Sequence, residues 1–237
     1  MKKSLLLVVS LVTLPMVGHA DEIAASSNWS GPYVGITAGT VSGGSDFGPT
    51  GYAVQGDPYE NGTMDLSGGS YGVQIGYNFE AANKIVVGVV ADYSSLSVEG
   101  DHCVEIGTGV CVDADDSKAK GEVSNLLTAR VNLGFDLGKS LVYVTGGLAS
   151  AEATSSINDV QNGLDVSDTE TMQGVVTGVG INYKVAENVL IGAEYLHVNF
   201  ANTQFDYSAD LQLSSNMAGA HSATDLNLLR VSLNYRF

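Results

Sequence analysis

Apolar and polar residues alternate with a period of two along eight segments of the chain, each about ten residues long. The clearest segment carries on one face Tyr71, Val73, Ile75, Tyr77 and Phe79, and on the other Gly72, Gln74, Gly76 and Asn78. Successive side chains of a β-strand point to opposite sides, so this alternation is typical of a strand with one apolar and one polar face. The pattern predicts eight strands.

Four other segments repeat the alternation clearly. Their apolar faces carry Leu127, Ala129, Val131, Leu133 and Phe135; Val175, Thr177, Val179, Ile181 and Tyr183; Val189, Ile191, Ala193 and Tyr195; and Leu229, Val231, Leu233, Tyr235 and Phe237. The remaining segments, 32–40, 85–94 and 141–150, are less regular. We assign to their outer faces Val34, Ile36 and Ala38; Val87, Val89 and Tyr93; and Val142, Val144 and Leu148. In segment 85–94 the phase is fixed by Asp92, which we place on the inner face.

The links between these segments alternate in length. Short links are predicted at 80–84, 136–139 and 184–188, and long ones at 42–70, 95–122, 151–171 and 200–224. All long links then lie at one end of a closed up-and-down sheet, as in outer-membrane barrels with short periplasmic turns and long external loops. The predicted fold is all-β: an eight-stranded antiparallel transmembrane barrel with four long extracellular loops.

The first twenty residues are predicted to be a cleaved signal peptide. Lys2 and Lys3 begin the segment, an apolar stretch follows at 5–17, and small residues mark a cleavage site at 18–20. Residues 21–30 are then a short N-terminal periplasmic segment, and residues 31–237 form one barrel domain. No later stretch is apolar enough for a membrane helix, which leaves an exported soluble protein or a membrane barrel.

A soluble eight-stranded barrel of the lipocalin type is the competing fold, with its apolar face turned inward. Two features favour lipid on the apolar side. The opposite, glycine-rich faces carry Asp92, Arg130, Glu194 and Arg230, an electroneutral set that we predict pairs inside the barrel. Aromatic residues lie near the strand ends, where we expect interfacial girdles; they are Trp29, Tyr77, Phe79, Phe135, Tyr183, Tyr235 and Phe237.

The formal charge of −16, or −18 without Lys2 and Lys3, argues against nucleic acid as a partner. Most of the carboxylates fall in the long links. The best cluster for a divalent cation is Asp113, Asp115 and Asp116, although it lacks the spacing of a calcium loop. We predict a solvated acidic face and no cofactor.

Cys103 and Cys111 are the two cysteines of the chain. In an exported protein, two cysteines this close predict a disulfide. A metal site formed by both thiolates and His102 is the alternative.

The chain resembles the opacity-protein and OmpA-like family of eight-stranded Gram-negative outer-membrane barrels. The resemblance rests on five stretches in the family's order: NWSGPYVGITAG from Asn28, RVNLGF from Arg130, YVTGGLA from Tyr143, Glu194-Tyr195 and LNYRF from Leu233. It implies an outer-membrane location in contact with lipid and lipopolysaccharide. It also implies that the barrel-assembly machinery reads the terminal strand, with Tyr235 and Phe237 as its signal.

We therefore expect a structural surface protein, not an enzyme, whose loops meet a host surface or matrix ligand. Two alternatives remain open. One is a small porin with a narrow or gated path. The other is a lipid A-modifying hydrolase using His221, Ser222 and Asp225, although adjacent residues of a strand point to opposite faces and would not meet directly.

Overall fold

The computed structural model describes residues 28–50, 62–103, 118–159, 164–201, 203–206 and 219–237. Within these residues no helix is long and apolar enough to cross a membrane. The chain forms almost entirely strands: β1 Gly31–Thr50, β2 Gly62–Glu80, β3 Ile85–Cys103, β4 Lys118–Asp136, β5 Ser140–Asp159, β6 Leu164–Lys184, β7 Val189–Phe200, β8 Thr203–Asp206 and β9 Gly219–Arg236. A single 3₁₀ turn, Ala82–Lys84, joins β2 to β3.

Each long strand pairs antiparallel with its neighbours, and β1 pairs with β9 to close the sheet. The short β8 lies beside β9, just beyond the end of β7, so β7 and β8 together occupy one position in the wall. The predicted eight-stranded up-and-down barrel is confirmed.

The tilt of the strands follows from the register. A path that starts at Val34 and passes from each residue to its partner on the next strand returns to β1 at Gly44, ten residues further along the strand. With a rise of about 3.3 Å per residue and strands about 4.8 Å apart, this stagger corresponds to a tilt of about 40°. An eight-stranded barrel of this kind has an interior that side chains can fill.

The outer wall is apolar over the half of the barrel that ends at the short turns. On β9, for example, Leu229, Val231, Leu233, Tyr235 and Phe237 all point outward and are exposed. Nine residues of each tilted strand make a lipid-facing band about 21 Å high before side chains are counted, close to the height that an outer membrane requires. The alternation assigned from the sequence, including the phase set by Asp92, agrees with the burial of every strand.

Beyond this band the apolar residues change sides. On β3, Ile85 to Tyr93 present apolar residues outward, whereas further along Ser97 and Glu99 point outward and Leu96 and Val98 point inward. The strand itself continues, because its hydrogen-bonded register runs on past the change. The solvent outside is what changes, from lipid to water.

The long links predicted from the sequence were therefore wrong in extent. Residues 42–50, 62–70, 95–103, 118–122, 151–159 and 164–171 belong to paired strands. The side chains still alternate beyond the band, but the apolar residues now occupy the inner positions. In the sequence this change of phase interrupts the alternation and is easily mistaken for the end of a strand. Each long strand has 18 to 21 residues if β7 and β8 are set aside, about twice the predicted length.

The inward apolar residues above the band form one cluster, the upper core, which fills that half of the barrel as in a water-soluble protein. Its buried members are Val41, Met64, Leu66, Leu96, Val98, Val123, Leu126, Ala149, Ala151, Ala153, Met172, Val176, Leu196, Val198, Phe200, Leu226 and Leu228. The interior above the band is therefore mainly apolar.

The change of solvent predicts opposite responses to a charge on one strand. Val131 lies at the middle of the lipid-facing band on β4, and Ser124 lies above the band on the same strand, both exposed. Val131→Arg is expected to lower the free energy of unfolding by about 2–4 kcal/mol, because the charge enters hydrocarbon. Ser124→Arg is expected to change it by less than about 0.5 kcal/mol. Urea unfolding in lipid vesicles measures both; equal losses would contradict the assigned membrane boundary.

Candidate functional site in the barrel interior

Four charged side chains meet in the interior at mid-height of the lipid-facing band. Asp92 comes from β3, Arg130 from β4, Glu194 from β7 and Arg230 from β9, and all four are buried. In the closed sheet, β3 lies opposite β7 and β4 lies opposite β9. These four residues, the charge quartet, therefore span the bore from wall to wall.

Each arginine of the quartet contacts both carboxylates. Arg130 lies 2.8 Å from Asp92 and 2.7 Å from Glu194, measured between nitrogen and oxygen atoms. Arg230 lies 2.9 Å from Asp92 and 2.8 Å from Glu194. The four ion pairs form a closed ring with no net charge. A buried charge without a partner costs several kcal/mol, and here every charge has two partners.

Neutral side chains supply further hydrogen bonds to the ring. The Thr128 hydroxyl donates to Asp92 Oδ2 over 2.5 Å and accepts from Arg130 Nε over 3.0 Å. The Tyr143 hydroxyl donates to Glu194 Oε1 over 3.1 Å. These bonds fix the orientation of both the carboxylates and the guanidinium, which strengthens charge-assisted pairs.

Two tyrosines line the bore on the short-turn side of the quartet. Tyr33 packs across Gly76 on β2, and Tyr143 packs across Gly180 on β6; a Cβ at either glycine would lie 2.3 to 2.4 Å from the ring. Glycine is required at both positions because the rings occupy that space. A cavity of about 10 Å³ lies beside these rings, about the size of one water site. Asn132 Oδ1, which has no hydrogen-bond partner among the described residues, belongs to a residue lining it.

Trp29 closes the short-turn end of the bore. It is fully buried and packs with Val86, Leu141 and Leu190. Its indole Nε1 donates to Asp136 Oδ1 over 2.8 Å, and the Lys184 ammonium lies 4.0 Å from its ring centroid. The prediction that Trp29 lies in the interfacial girdle is therefore wrong. Residues 28–30 precede β1 and fold under the barrel, which directs the ring inward, away from lipid.

Residues 28–30, the strap, are held by both neighbouring turns and by β9. The Trp29 amide donates to Glu80 Oε2 over 2.8 Å, and the Glu80 amide donates to Ser30 Oγ over 2.9 Å. Lys184 and Arg236 both donate to the carbonyl oxygen of Asn28. The strap thus ties the start of β1 to the end of β9.

The sequence profile of the outer membrane protein beta-barrel domain family matches residues 4–237. The chain belongs to this family. It is an outer-membrane protein, as its lipid-facing band requires. A 31 kDa outer-membrane immunogenic protein of Brucella melitensis is 29% identical over 235 residues, which cover 97% of this chain and 91% of the relative. A 25 kDa outer-membrane immunogenic protein of Brucella canis is 25% identical over 182 residues, covering 72% and 79% of the two chains.

Among solved structures, the outer membrane protease OmpT of Escherichia coli superposes with a TM-score of 0.54 at 10% sequence identity. The match covers 87% of this chain and 97% of that chain. At such low identity the likeness concerns the fold alone. The resemblance to outer-membrane barrels noted in the sequence is confirmed by the family match.

The other predicted aromatic residues of this outer-membrane barrel lie on its outer surface. Tyr77, Phe79, Phe135 and Tyr183 are exposed near the short turns. Tyr235 and Phe237 also point outward, and their rings meet edge to face with centroids 5.1 Å apart. Their exposure agrees with the aromatic girdle expected at the periplasmic interface, which stays a prediction.

Several other predictions fall outside the described residues. Cys111, Asp113, Asp115 and Asp116 lie there, as does the side chain of Cys103, so the disulfide and the weak cation site stay predictions. In the part of the chain that the structure covers, no group of three or more His, Cys, Asp or Glu could hold a metal ion.

Ser222 and Asp225 of the hydrolase alternative do not come together, and the side chain of His221 lies outside the described residues. Ser222 is buried in the interior and bonds to Ser45 over 2.6 Å and to Thr224 over 3.1 Å. Asp225 belongs to the opposite face of β9, three residues away. Among the described side chains, the Ser222 hydroxyl is bonded to two other hydroxyls and is separated from Asp225 by the barrel wall.

Sequence reasoning found the quartet but missed the upper core and the Trp29 plug. The upper core could have been found from the inward apolar residues that follow the band on each strand, such as Leu96 and Val98 on β3. The strap has no periodic signal, because residues 28–30 are not a strand.

Removing one arginine of the quartet is expected to be strongly destabilising. Arg230→Met leaves Asp92 and Glu194 with Arg130 as their shared counterion, so the free energy of unfolding should fall by about 3–5 kcal/mol. The double variant Arg230→Met/Asp92→Asn restores electroneutrality and should regain part of that loss. Urea unfolding in detergent micelles measures both. A loss below about 1 kcal/mol in the single variant would show that the ring is not essential.

Trp29 is the single tryptophan of the chain, so its fluorescence reports directly on the plug. The wild-type emission is expected to be blue-shifted and protected from acrylamide. Trp29→Ala should lower the free energy of unfolding by about 3–5 kcal/mol through the cavity it leaves. Trp29→Phe keeps most of the packing but loses the bond to Asp136, so it should lose less. Emission typical of a solvated indole would contradict the buried position.

Proposed function

We propose that this protein is a non-conducting structural protein of the outer membrane that presents acidic extracellular loops above the bilayer. The observation that carries the proposal is the filled interior. Trp29 packs at the short-turn end, the charge quartet crosses the middle, and the upper core occupies the rest.

These three layers, an aromatic ring, a set of ion pairs and an apolar core, argue against a porin because each would oppose the passage of water or ions for a different physical reason. A water-filled path would have to break four ion pairs, displace the Trp29 ring and hydrate an apolar core. An eight-stranded barrel has no spare width beside such side chains. Each layer alone would raise the barrier to an ion, and the layers act in series.

The extension of the strands beyond the band supports a presenting role. About ten residues of each long strand rise above the lipid-facing band, which corresponds to about 26 Å of rigid barrel. The outer wall there carries exposed carboxylates, including Asp65, Glu99 and Glu152. The upper ends of the strands are thereby held away from the membrane surface.

The partners we propose follow from these surfaces. A host surface or matrix ligand would meet the upper end of the barrel. The names of the Brucella relatives describe immunogenic proteins, which agrees with exposure at the cell surface. The outward rings of Tyr235 and Phe237 suit recognition of the last strand by the barrel-assembly machinery. We propose no catalytic role, because Ser222 is enclosed by hydroxyl groups.

Two measurements test the proposal. In planar bilayers the purified folded protein should give no stable conductance steps, and large, long-lived steps would end the proposal of a filled interior. An epitope inserted between residues 51 and 61 should be labelled by antibody on intact cells. The same epitope at Asn83, in the short turn between β2 and β3, serves as the matched control and should remain unlabelled until the outer membrane is opened.

A further inference from the structure

A groove of about 780 Å³ runs along the outside of the barrel within the lipid-facing band. Its walls are two neighbouring rows of outward side chains, and each residue of a row is the cross-strand partner of the next. The lower row is Val189, Tyr235, Val34, Ile75 and Ala91, and the upper row is Leu233, Ile36, Val73, Tyr93 and Leu127. The inward-pointing residues between the two rows complete the lining; they are Asn234, Gly35, Gln74 and Asp92.

The dimensions of the groove match one hydrocarbon chain of a single leaflet. Each row takes four steps from strand to strand, which makes a length of about 19 Å at about 4.8 Å per strand. With the strands tilted by about 40°, the groove rises by about 12 Å along the membrane normal. The hydrocarbon core of a bilayer is about 30 Å thick, so one leaflet contributes about 15 Å. The rows are two residues apart, about 7 Å, so one chain can contact both walls.

The chemistry of the walls also suits a hydrocarbon chain. Eight of the ten wall side chains are aliphatic, and the other two are Tyr93 and Tyr235. The Tyr93 hydroxyl donates to Asn125 Oδ1 over 2.8 Å, so it bonds to a residue outside the groove. The walls therefore offer van der Waals contacts along the whole length of the groove, which an unbranched apolar chain can use.

The two ends of the groove lie at different heights in the membrane. At the lower end, the carbonyl oxygen of Val189 accepts from the Val185 amide of the short turn over 3.0 Å. The Tyr235 ring, also at this end, meets the ring of the C-terminal residue. At the upper end, Ala91 directly precedes Asp92 of the charge quartet, which lies at mid-height of the band. The groove thus rises from the short-turn side to the middle of the band, which is the span of a chain in the periplasmic leaflet.

We propose that the groove binds one acyl chain of a phospholipid from the periplasmic leaflet, with the headgroup at the lower end and the terminal methyl group beside Ala91. Charged groups of both signs, Lys184, Arg236 and Glu187, lie beside the lower end. They suit a headgroup that carries both a phosphate and an ammonium group. The groove is inclined by about 50° to the membrane normal, whereas the chains of bulk lipid run on average along the normal. The bound chain is therefore distinct from the surrounding lipid, and its binding is independent of any ligand of the loops.

Photo-crosslinking of the full folded chain in phospholipid vesicles tests the proposal. Two phosphatidylethanolamine probes are used, one with a diazirine near the carboxyl end of an acyl chain and one with a diazirine near its methyl end. Mass spectrometry identifies the labelled residues. We expect the first probe to label Val189 and Tyr235, and the second to label Ala91 and Leu127, each severalfold more than the exposed side chains of β5 and β6. Even labelling around the circumference would overturn the proposal. The reverse order of the two probes would overturn the assignment to the periplasmic leaflet.

Two matched variants separate the groove from the rest of the lipid-facing wall. Ala91 has the smallest side chain of the two rows, and Ala91→Phe places a ring at the upper end of the groove. Ala193 is an exposed alanine of β7 within the same band but outside the groove, so Ala193→Phe is the control. The shift in gel mobility on heating verifies that both variants fold. Ala91→Phe should lose most of the labelling of Leu127 by the methyl-end probe, whereas Ala193→Phe should keep it. Undiminished labelling in Ala91→Phe would refute the assignment.

Discussion

The pairing of β1 with β9 is the constraint on which the rest of the structure depends. In hydrocarbon no water is available for free backbone N–H and C=O groups, so a sheet that crosses the membrane must close on itself. Closure with eight strands and a stagger of ten residues sets the tilt and the width of the bore. That width leaves room for side chains only. The ring of ion pairs that spans the bore and the division of each strand into inner and outer faces both follow from closure.

The two halves of the barrel have different kinds of inward-pointing side chain. Inside the band, outward apolar residues meet lipid, so the alternating inner positions are polar and must satisfy one another, as Arg130 and Arg230 do with Asp92 and Glu194. Above the band the outside is water, and the hydrophobic effect drives the apolar residues inward to form the upper core. The same backbone thus continues from a membrane protein into a water-soluble one, and the quartet lies on the membrane side of that boundary.

The sequence contained most of the fold within the membrane and little of the fold above it. Strand number, strand phase and the inward direction of the quartet were predictable, because period-two alternation is strong where one face meets lipid, and Asp92 settled the phase even where β3 is apolar on both faces. Strand length was not predictable by the same rule, since Leu96 and Val98 reverse the pattern on β3. The positions of Trp29 and of the ring contacts depend on the curvature that brings opposite walls together, which a single strand does not encode.

The side chains of the outer wall also determine how deeply the barrel is embedded in the membrane. From the short turns upward it presents aromatic rings, aliphatic side chains, tyrosines bonded to asparagines, uncharged hydroxyls and then carboxylates such as Glu99 and Glu152. A vertical displacement of two residues, about 5 Å along the membrane normal, would move hydroxyls into hydrocarbon in one direction and apolar side chains into water in the other. Both displacements cost free energy around the whole circumference, so the free energy of the barrel has a single minimum along the membrane normal. The upper end of the barrel is consequently held at a fixed height above the lipid-facing band.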